Sequence, residues 1–441
     1  MKKNLFAILA AAALAVLMLS CSSSDIEDFG ELEEPKVPVS MLGEATPIEL
    51  TEAQQAFVND NNRFTFNFLK AANEAGQSGK SFIYSPLSIT YALGMVNDAA
   101  VGETEKEIEQ TLGFLQGGSK AVNEFCKNLI DNLPKVDNKV TLNIANALFL
   151  NKGFTLKKQF EEDMKNYYDA KAEVLDFSAS LQSAAVINKW CEDKTKGMIP
   201  DIIEATDPQA VSYLLNAIYF KADWTSKFDE KNTKEESFAS LNGNLTLPLM
   251  HQNVLIKYYK NDVYSAVAMP YGNGSWEMTV MLPENGKTTD DVIKRVNQYG
   301  LEGRGFCATM GDTYSSYEVD LKLPRFETSS DTDNLDGRLN QLMKKLGVNL
   351  AFNRDLSQIP NMCENENLFI GMMRQKAKIK VSEEGSEAAA VTIVGMLTSA
   401  IGPSDPPEYP KAVFHANKPF VYVIREVSTG IILFVGKFTG E

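Results

Sequence analysis

The pattern of apolar and polar residues becomes that of a folded domain near Thr51 and stays so to the end of the chain. Apolar residues recur at helical spacing over 56–75 and predict a helix there. A second apolar segment, 86–97, follows Ser85, a residue type that commonly caps a helix. The domain is therefore expected to open with two helices.

Strand patterns dominate the later part of the chain. Apolar or alternating runs bounded by turn residues predict strands at 140–150, 211–220, 264–269, 277–282 and 317–323. Two final runs, 420–425 and 431–438, flank Ser428, Thr429 and Gly430 and predict a hairpin. Helices come mostly early and strands mostly late, which favours an α+β fold over regular βαβ alternation.

Composition narrows the class of protein. The 441 residues are 44% hydrophobic and 23% charged, as in an ordinary globular protein. The net charge of −15 would repel a polyanion, so nucleic acid is not expected as a partner. The sequence contains no Gly-rich phosphate loop, no paired-cysteine zinc spacing and no internal repeat.

The N-terminal residues predict export. Lys2 and Lys3 precede an apolar run over 5–19, and Cys21 follows directly after Ser20. This arrangement resembles the signal peptide and lipobox of bacterial lipoproteins, which implies a signal peptide at 1–20 and lipidation of Cys21. The alternative is an ordinary signal peptide with a coincidental cysteine.

Residues 21–50 are acidic, contain Pro35 and Pro38 behind the acidic stretch and cannot bury a core, so they predict a tether. An acidic stretch behind the lipidated cysteine resembles the surface-export signal of Bacteroidetes lipoproteins; a solvated spacer is the alternative. The expected location is the outer membrane, held by a lipid anchor, on the cell surface or facing the periplasm.

Residues for nucleophilic catalysis are scarce. A Ser-His or Cys-His pair would need one of the two histidines, His251 and His415, and neither follows a catalytic motif. The sequence therefore predicts no enzyme. The cysteines Cys126, Cys191, Cys307 and Cys363 are scattered, and we expect buried apolar side chains, with a disulfide left open.

Motifs in a fixed order connect the chain to a known family. They are SFIYSPLSI (81–89), AAVGET (99–104), IANALF (144–149), INKW with KTKGMI (187–199), NAIYFKADW (216–224), LKLPRF (321–326) and FHANKPFV (414–421). Together they resemble the serpins over 51–441. The resemblance implies one serpin domain of α+β class with three β-sheets, about nine helices and an exposed reactive loop at about 383–413. It implies no cofactor or metal, and we expect a monomer.

The segment from 380 to 410 is unusual on its own residues. Its Ala- and Glu-rich start could form a helix, but a proline-rich stretch follows, and a loop of about thirty residues usually has a function. The resemblance implies a suicide inhibitor of endopeptidases: the target cleaves this loop, forms a covalent complex, and the loop inserts into the central sheet. The expected hinge is Glu383, Glu384, Gly385, Ser386, Glu387, Ala388, Ala389 and Ala390.

Insertion requires small or apolar residues at alternate positions. Counting by twos from Ser386 gives Ala388, Ala390, Thr392 and Val394, with Glu387 in the register expected to face solvent. Proline would remove a ladder hydrogen bond, and none occurs between Ser386 and Pro403. The alternative is a non-inhibitory serpin that acts as a binding protein.

Spacing within the family implies a scissile bond at Ser399–Ala400, with Met396, Leu397 and Thr398 close enough to take its place. No Lys or Arg occurs between 388 and 410, so trypsin-like targets are not expected. We expect elastase-, subtilisin- or chymotrypsin-like serine peptidases as targets, and papain-like cysteine peptidases as a further class.

The resemblance also places residues beneath the sheet. Ser85, Ser88, Asn216 and Gln375 correspond to the polar network that holds the sheet closed, here named the shutter. Gln375 stands where the family usually has histidine, so the network should not respond to pH near neutrality. Trp224 corresponds to the tryptophan at the top of the sheet opening, here named the breach, although packing alone would also explain it.

Overall fold

Six of the eight described α-helices lie before residue 200, and twelve of the fifteen described strands lie after it. In the computed structural model, which describes residues 46–301, 315–332, 338–364, 367–386 and 409–440, eight α-helices are present. They are α1 Glu52–Ala72, α2 Pro86–Ala99, α3 Gly102–Leu112, α4 Gly118–Asn132, α5 Lys158–Tyr168, α6 Ser180–Lys194, α7 Thr289–Leu301 and α8 Arg338–Leu346. None of these helices is long and apolar enough to cross a lipid bilayer.

Fifteen strands complete the described part of the domain. They are β1 Phe82–Tyr84, β2 Thr141–Asn151, β3 Lys171–Leu175, β4 Ser212–Asp223, β5 Lys234–Ser240, β6 Gly243–Lys260, β7 Tyr264–Tyr271, β8 Trp276–Pro283, β9 Ser315–Pro324, β10 Phe326–Asp331, β11 Met372–Val381, β12 Gly385–Ser386, β13 Lys411–His415, β14 Phe420–Glu426 and β15 Ile432–Phe438. Every strand and helix predicted from periodicity is present, with ends shifted by a few residues.

Local sequence explains how the first helices begin. The Thr51 hydroxyl accepts a hydrogen bond from the Gln54 N–H, and the Gln54 side chain accepts one from the Thr51 N–H, which forms a capping box for α1. In α2, the Ser85 hydroxyl accepts from the Ser88 N–H, and Pro86 occupies the first helical position. The predicted cap at Ser85 is confirmed.

The strands form two hydrogen-bonded sheets in the ranges described. One has six strands in the order β10-β11-β12-β4-β2-β3; the other has nine, β1-β15-β14-β8-β7-β6-β9-β13, with β5 paired to β6. The α+β serpin fold class is confirmed, but two of the three expected sheets are continuous. The reason is β6, whose 18 residues pair with β5 and β9 along most of their length and with β7 at one end.

Two apolar clusters lie on opposite faces of the six-stranded sheet. Alternate residues of β4, Leu214, Ile218, Phe220 and Ala222, belong to the main core, which also contains α1, α2 and the nine-stranded sheet. The intervening residues Tyr213, Leu215 and Ala217 belong to a smaller cluster beneath α6. The central strand β4 is therefore buried on both faces for most of its length.

Candidate functional site: the opening of the six-stranded sheet

Strands β4 and β11 lie side by side at one end of the six-stranded sheet and separate toward the other. Their parallel pairing runs from Met372↔Tyr213 to Gln375↔Asn216. Beyond this point, here named the fork, residues 217–221 of β4 have no pairing with β11 within the described part of the chain. The short strand β12 fills the far end, where Ser386 pairs with both Ala222 and Val381.

Glycine is required at position 385 by the close approach of two backbones. Gly385 has a φ of +151°, and a Cβ atom there would lie 2.1 Å from the Ala222 carbonyl oxygen and 2.6 Å from the Asp223 Cα. A tight turn precedes it, in which the Ser382 N–H donates to the Gly385 carbonyl at 2.9 Å. The chain can therefore enter the sheet here only with glycine at this position.

The breach contains a stacked aromatic pair. The rings of Trp224 and Tyr271 are 4.3 Å apart and nearly parallel, and the Trp224 indole N–H donates to the Ser382 carbonyl at 2.9 Å. The Trp224 backbone N–H donates to the Glu384 carbonyl at 2.8 Å. The hydroxyls of Tyr271 and Ser386 are 2.7 Å apart and buried. Trp224 thus holds the start of the expected hinge by hydrogen bonds as well as by packing.

Glu383 is a buried carboxylate at the same place. Its side chain is only 3% exposed and accepts from the Arg325 guanidinium at 2.6 and 3.1 Å and from the Thr233 hydroxyl at 2.7 Å. Burial opposes ionisation, but these hydrogen bonds outweigh it, and the pKa of Glu383 lies below its ordinary value. The carboxylate is therefore charged at neutral pH and joins the hinge to the start of β10.

The next acidic residue has a second cationic partner. The ammonium of Lys227 lies between the Glu384 carboxylate and that of Asp223, 2.9 Å from the latter. These side chains are about one quarter to one third exposed, so this ion pair contributes less than the buried one. Residues 383–386, expected as the beginning of an exposed loop, are instead folded into the top of the sheet.

The shutter is centred on the side-chain amide of Gln375, which is 2% exposed. This amide makes two bonds to one residue: it donates to the Ser85 carbonyl at 2.8 Å and accepts from the Ser85 N–H at 2.9 Å. The first turn of α2 is therefore attached to β11 directly at the fork. A glutamine supplies one donor and one acceptor without a titratable proton.

Hydroxyl groups extend this contact on both sides. The Ser85 hydroxyl donates to the Leu433 carbonyl at 2.7 Å and accepts from the Ser88 hydroxyl at 3.0 Å. Thr332 bonds to the backbone N–H and carbonyl of Gln375, at 3.0 and 3.2 Å. The structure thus brings together Ser85, Ser88 and Gln375, and adds Thr332, which sequence reasoning missed.

Asn216, the fourth expected shutter residue, does not bond to this group. It lies opposite Gln375 in register, but its amide donates to Asn146 Oδ1 at 2.6 Å, away from β11. Its own Oδ1 is buried and has no hydrogen-bond donor among the described residues. Asn146 was also missed, although an asparagine within a predicted buried strand is a signal, because a buried amide needs a partner.

Several predicted residues lie outside the described part of the chain. They are Cys21, Glu387, Ala388, Ala389, Ala390, Met396, Leu397, Thr398, Ser399, Ala400 and Cys307. Of the other cysteines, Cys126, Cys191 and Cys363 are buried free thiols.

The two histidines meet at one carboxylate. His251 Nε2 is 2.7 Å from Asp320 Oδ1, and His415 Nε2 is 3.1 Å from Asp320 Oδ2, across β6, β9 and β13. Within the described ranges no group of three or more His, Cys, Asp or Glu side chains is arranged to hold a metal ion. The sheet opening therefore remains the candidate site.

Comparison with known proteins agrees with this architecture. The family model described as "Serpin (serine protease inhibitor)" matches residues 59–440. The chain belongs to the serpin family. A serpin-like protein of Thermococcus kodakarensis is 30% identical over 418 residues, which cover 94% of this chain and 91% of that protein.

Solved serpin structures superpose over most of the chain. The native state of the thermophilic serpin tengpin matches with a TM-score of 0.76 at 24% identity, over 92% of this chain and 99% of tengpin. Human thyroxine-binding globulin with bound thyroxine matches with a TM-score of 0.76 at 26% identity, over 88% of this chain and 100% of the globulin. Serpins are generally peptidase inhibitors rather than enzymes, and some members do not inhibit.

Proposed function

We propose that this serpin inhibits endopeptidases by offering residues 387–408 for cleavage and then inserting the freed segment at the fork. The observation that carries the proposal is β12, whose Ser386 already occupies the position of a middle strand between β11 and β4. On this proposal, β12 marks the place where the cleaved segment would begin to insert. Edge-to-edge addition along β4 would continue the same antiparallel ladder.

The register of β12 specifies where later residues would lie. From Ser386↔Ala222, each step forward along the loop is one step back along β4, so Ala388 would lie opposite Phe220 and Ala390 opposite Ile218. Continuing, Val394 would lie opposite Leu214. These β4 residues all face the main core. The alternate set beginning at Ser386 would thus enter the core, where small or apolar side chains are required.

The other set would face the smaller cluster rather than open solvent. Its neighbours on β4 run from the half-buried Lys221, opposite Glu387, to the buried Tyr219 and Ala217. If the register continues, residues of this set after Glu387 would lie opposite buried positions of β4, and we infer that they would be covered rather than open to solvent as first expected. Glu387 alone would be next to a partly exposed position, which suits its charge.

Thr392 would reach the shutter. The same register places it opposite Asn216, whose buried Oδ1 has no donor among the described residues. A threonine hydroxyl is short, fits a packed sheet and can donate one hydrogen bond. We infer that insertion supplies the missing donor, which would favour the inserted state by about 1–3 kcal/mol, the usual cost of an unpaired buried acceptor.

The composition of the loop supports a target class. With no Lys or Arg from 388 to 410, a peptidase pocket with a buried carboxylate finds no cation to bind. We infer elastase-, subtilisin- or chymotrypsin-like serine peptidases, with papain-like cysteine peptidases as a further class. The inferred scissile bond is Ser399–Ala400, with Met396, Leu397 or Thr398 next to the bond if the register shifts.

A binding function without inhibition is the second candidate. The observation that favours it is the similarity to thyroxine-binding globulin, a serpin whose structure contains thyroxine. On that hypothesis the loop would be nicked by peptidases without a covalent complex.

Incubation with elastase and with subtilisin separates the two candidates. The inhibitory function predicts a complex that survives denaturing electrophoresis at the summed mass, and mass spectrometry of the released C-terminal fragment would locate the cleaved bond. Nicking without complex in both reactions would support the binding function instead.

A matched pair of variants tests insertion itself. Ala390→Arg would place a guanidinium opposite Ile218 in the core, so we expect cleavage without complex formation. Glu387→Gln changes a residue opposite the half-buried Lys221 without placing a second cation beside it, so complex formation should persist. Equal inhibition by both variants would contradict the proposed register.

We also propose export and lipid anchoring at Cys21, which are supported only by the N-terminal sequence. Metabolic labelling with a radioactive fatty acid tests the anchor: label should be present in the natural chain and absent from Cys21→Ser. Protease accessibility on intact cells would then separate a surface location from a periplasmic one.

A further inference from the structure

A row of hydrogen bonds, most of them buried, leads from the fork to the C-terminal end of α2. From Asn216 on β4, the bond to Asn146 on β2 is followed by one from Asn146 Nδ2 to the Tyr168 carbonyl, 3.1 Å. The Tyr168 hydroxyl at the end of α5 donates to Asn123 Oδ1 on α4 at 2.6 Å. Asn123 Nδ2 then donates to Asp98 on α2 at 2.5 Å. We name these five residues the relay.

The relay is buried along most of its length. Asn216, Asn146, Tyr168 and Asn123 are each at most 4% exposed, and only Asp98 is partly accessible. The Tyr168 hydroxyl also contacts the Cys126 thiol. Breaking a bond within this buried row would leave a desolvated partner, so each bond favours the present arrangement.

Helix α2 leaves space for this tyrosine. Gly94 lies in the middle of α2, where glycine is unfavourable relative to alanine. A Cβ atom at that position would be 2.8 Å from the Tyr168 hydroxyl oxygen and 3.1 Å from its ring. The hydroxyl is therefore seated in a gap of α2 that a larger residue would close.

Tyr168 joins two groups of elements. Only two residues separate it from β3, which pairs with β2, and β2 pairs with β4 along ten positions from Thr141↔Lys221 to Leu150↔Ser212. Asn123 and Asp98 belong to helices, and α2 is attached to β11 and β15 through Ser85. The bond between Tyr168 and Asn123 thus connects β2, β3 and β4, on one side of the fork, to the helices that are attached to β11, on the other side.

Insertion of a strand requires the two sides of the fork to move apart by about 4.8 Å, the spacing between neighbouring strands. We propose that Tyr168 is a positioning residue whose hydroxyl bond to Asn123 restrains this movement and so sets how fast the six-stranded sheet opens. The inference rests on the proposed function for its biological meaning. Opening of the fork can nevertheless be measured without any peptidase.

The variant Tyr168→Phe removes the hydroxyl and keeps the ring. In the intact protein, we expect the backbone amides at 213–216 and 372–375 to exchange with solvent roughly tenfold faster, because an unpaired buried acceptor is left on Asn123. The melting temperature of the intact form should fall by several degrees. The loop-cleaved form should melt unchanged, since the bond would already be broken there.

Tyr91→Phe is the matched control. Tyr91 is also a fully buried tyrosine, but its hydroxyl has no hydrogen-bond partner among the described residues. We expect it to leave amide exchange at the fork unchanged. If Tyr168→Phe folds poorly, Asn123→Ser removes the acceptor of the same bond, together with the Asn123 bond to Asp98, and should make exchange at the fork at least as fast.

The outcomes separate this inference from the proposed function. An equal loss of melting temperature in the intact and cleaved forms, with exchange at the fork unchanged, would overturn the relay and make Tyr168 a packing residue. Absence of inhibition by the natural protein would contradict the proposed function. The amide exchange rates at the fork would still test the relay, because they are measured without a peptidase. Faster exchange in Tyr168→Phe together with unchanged exchange in Tyr91→Phe supports the relay.

Discussion

The breach and the shutter lie at the two ends of the sheet opening and are held by different chemistry. At the breach, charged groups dominate: Glu383 is bound by Arg325 and Glu384 by Lys227. At the shutter, Gln375, Ser85 and Thr332 use only amides, hydroxyls and backbone groups. Because of this difference, the breach should respond to acid and salt, whereas the shutter should respond to neither.

The largest expected effect is at the shutter. Gln375→Ala would leave the Ser85 N–H buried without its acceptor and would remove one bond to the Ser85 carbonyl, which keeps the Ser88 N–H. We expect a loss of about 3 kcal/mol of unfolding free energy. Denaturant unfolding of the intact protein measures it. A loss below about 1 kcal/mol would mean that the amide does not hold the fork closed.

Gln375→His replaces the neutral amide of the shutter by a side chain that can titrate. A buried neutral imidazole must take up a proton in acid, so its stabilising effect would be lost as the pH falls through about 6.5. The natural glutamine should contribute no such loss. Both proteins should carry His251→Gln and His415→Gln in this measurement, because these two histidines contact Asp320 outside the shutter. A loss of stability near pH 6.5 with glutamine at position 375 would then contradict the neutral character of the shutter.

At the breach, Gly385→Val should expel β12 from the sheet. The side chain has no room beside Ala222, and the loss is limited to what β12 contributes, about 2–3 kcal/mol for its strand pairing and the Ser386–Tyr271 bond. Trp224 fluorescence, which reports on the stacked pair, should change with it. Unchanged fluorescence and stability would show that β12 is not seated there in solution.

Acid should weaken the breach through Glu383. Because hydrogen bonds from Arg325 and Thr233 hold the pKa of Glu383 below its usual value, its stabilisation is complete above about pH 4.3 and is lost as the pH falls further. We expect protonation of Glu383 to lower the free energy of unfolding by about 1–2 kcal/mol. Glu383→Gln should remove this part of the acid dependence, and an identical acid profile in the variant would argue against the assignment.

The smallest effect is expected for Lys227→Met. Its ion pairs with Asp223 and Glu384 are partly exposed and screened by salt, so the loss should be under about 0.5 kcal/mol and should disappear at 1 M salt. Arg325→Met serves as the comparison, because it leaves a buried carboxylate unpaired and should cost more. Equal losses in the two variants would remove the distinction between the two ion pairs.

Elements with local signals could be predicted from the sequence, whereas contacts between distant residues could not. Periodicity located α2 and β4, and Ser85 identified the start of α2. The partner of Glu383 could not be predicted, because Arg325 lies 58 residues away and meets it only through the pairing of β10 with β11. Asn216 was expected to join Gln375, but its amide turns toward Asn146 on β2.

Strand insertion can be tested by heating the intact and the loop-cleaved protein side by side. If residues 387–395 form a new strand between β4 and β11, the new backbone hydrogen bonds and buried side chains should stabilise the cleaved form by several kcal/mol. Its melting temperature should then be at least about 5–10 °C higher than that of the intact form. Cleaved and intact proteins that unfold at the same temperature would contradict strand insertion at the fork.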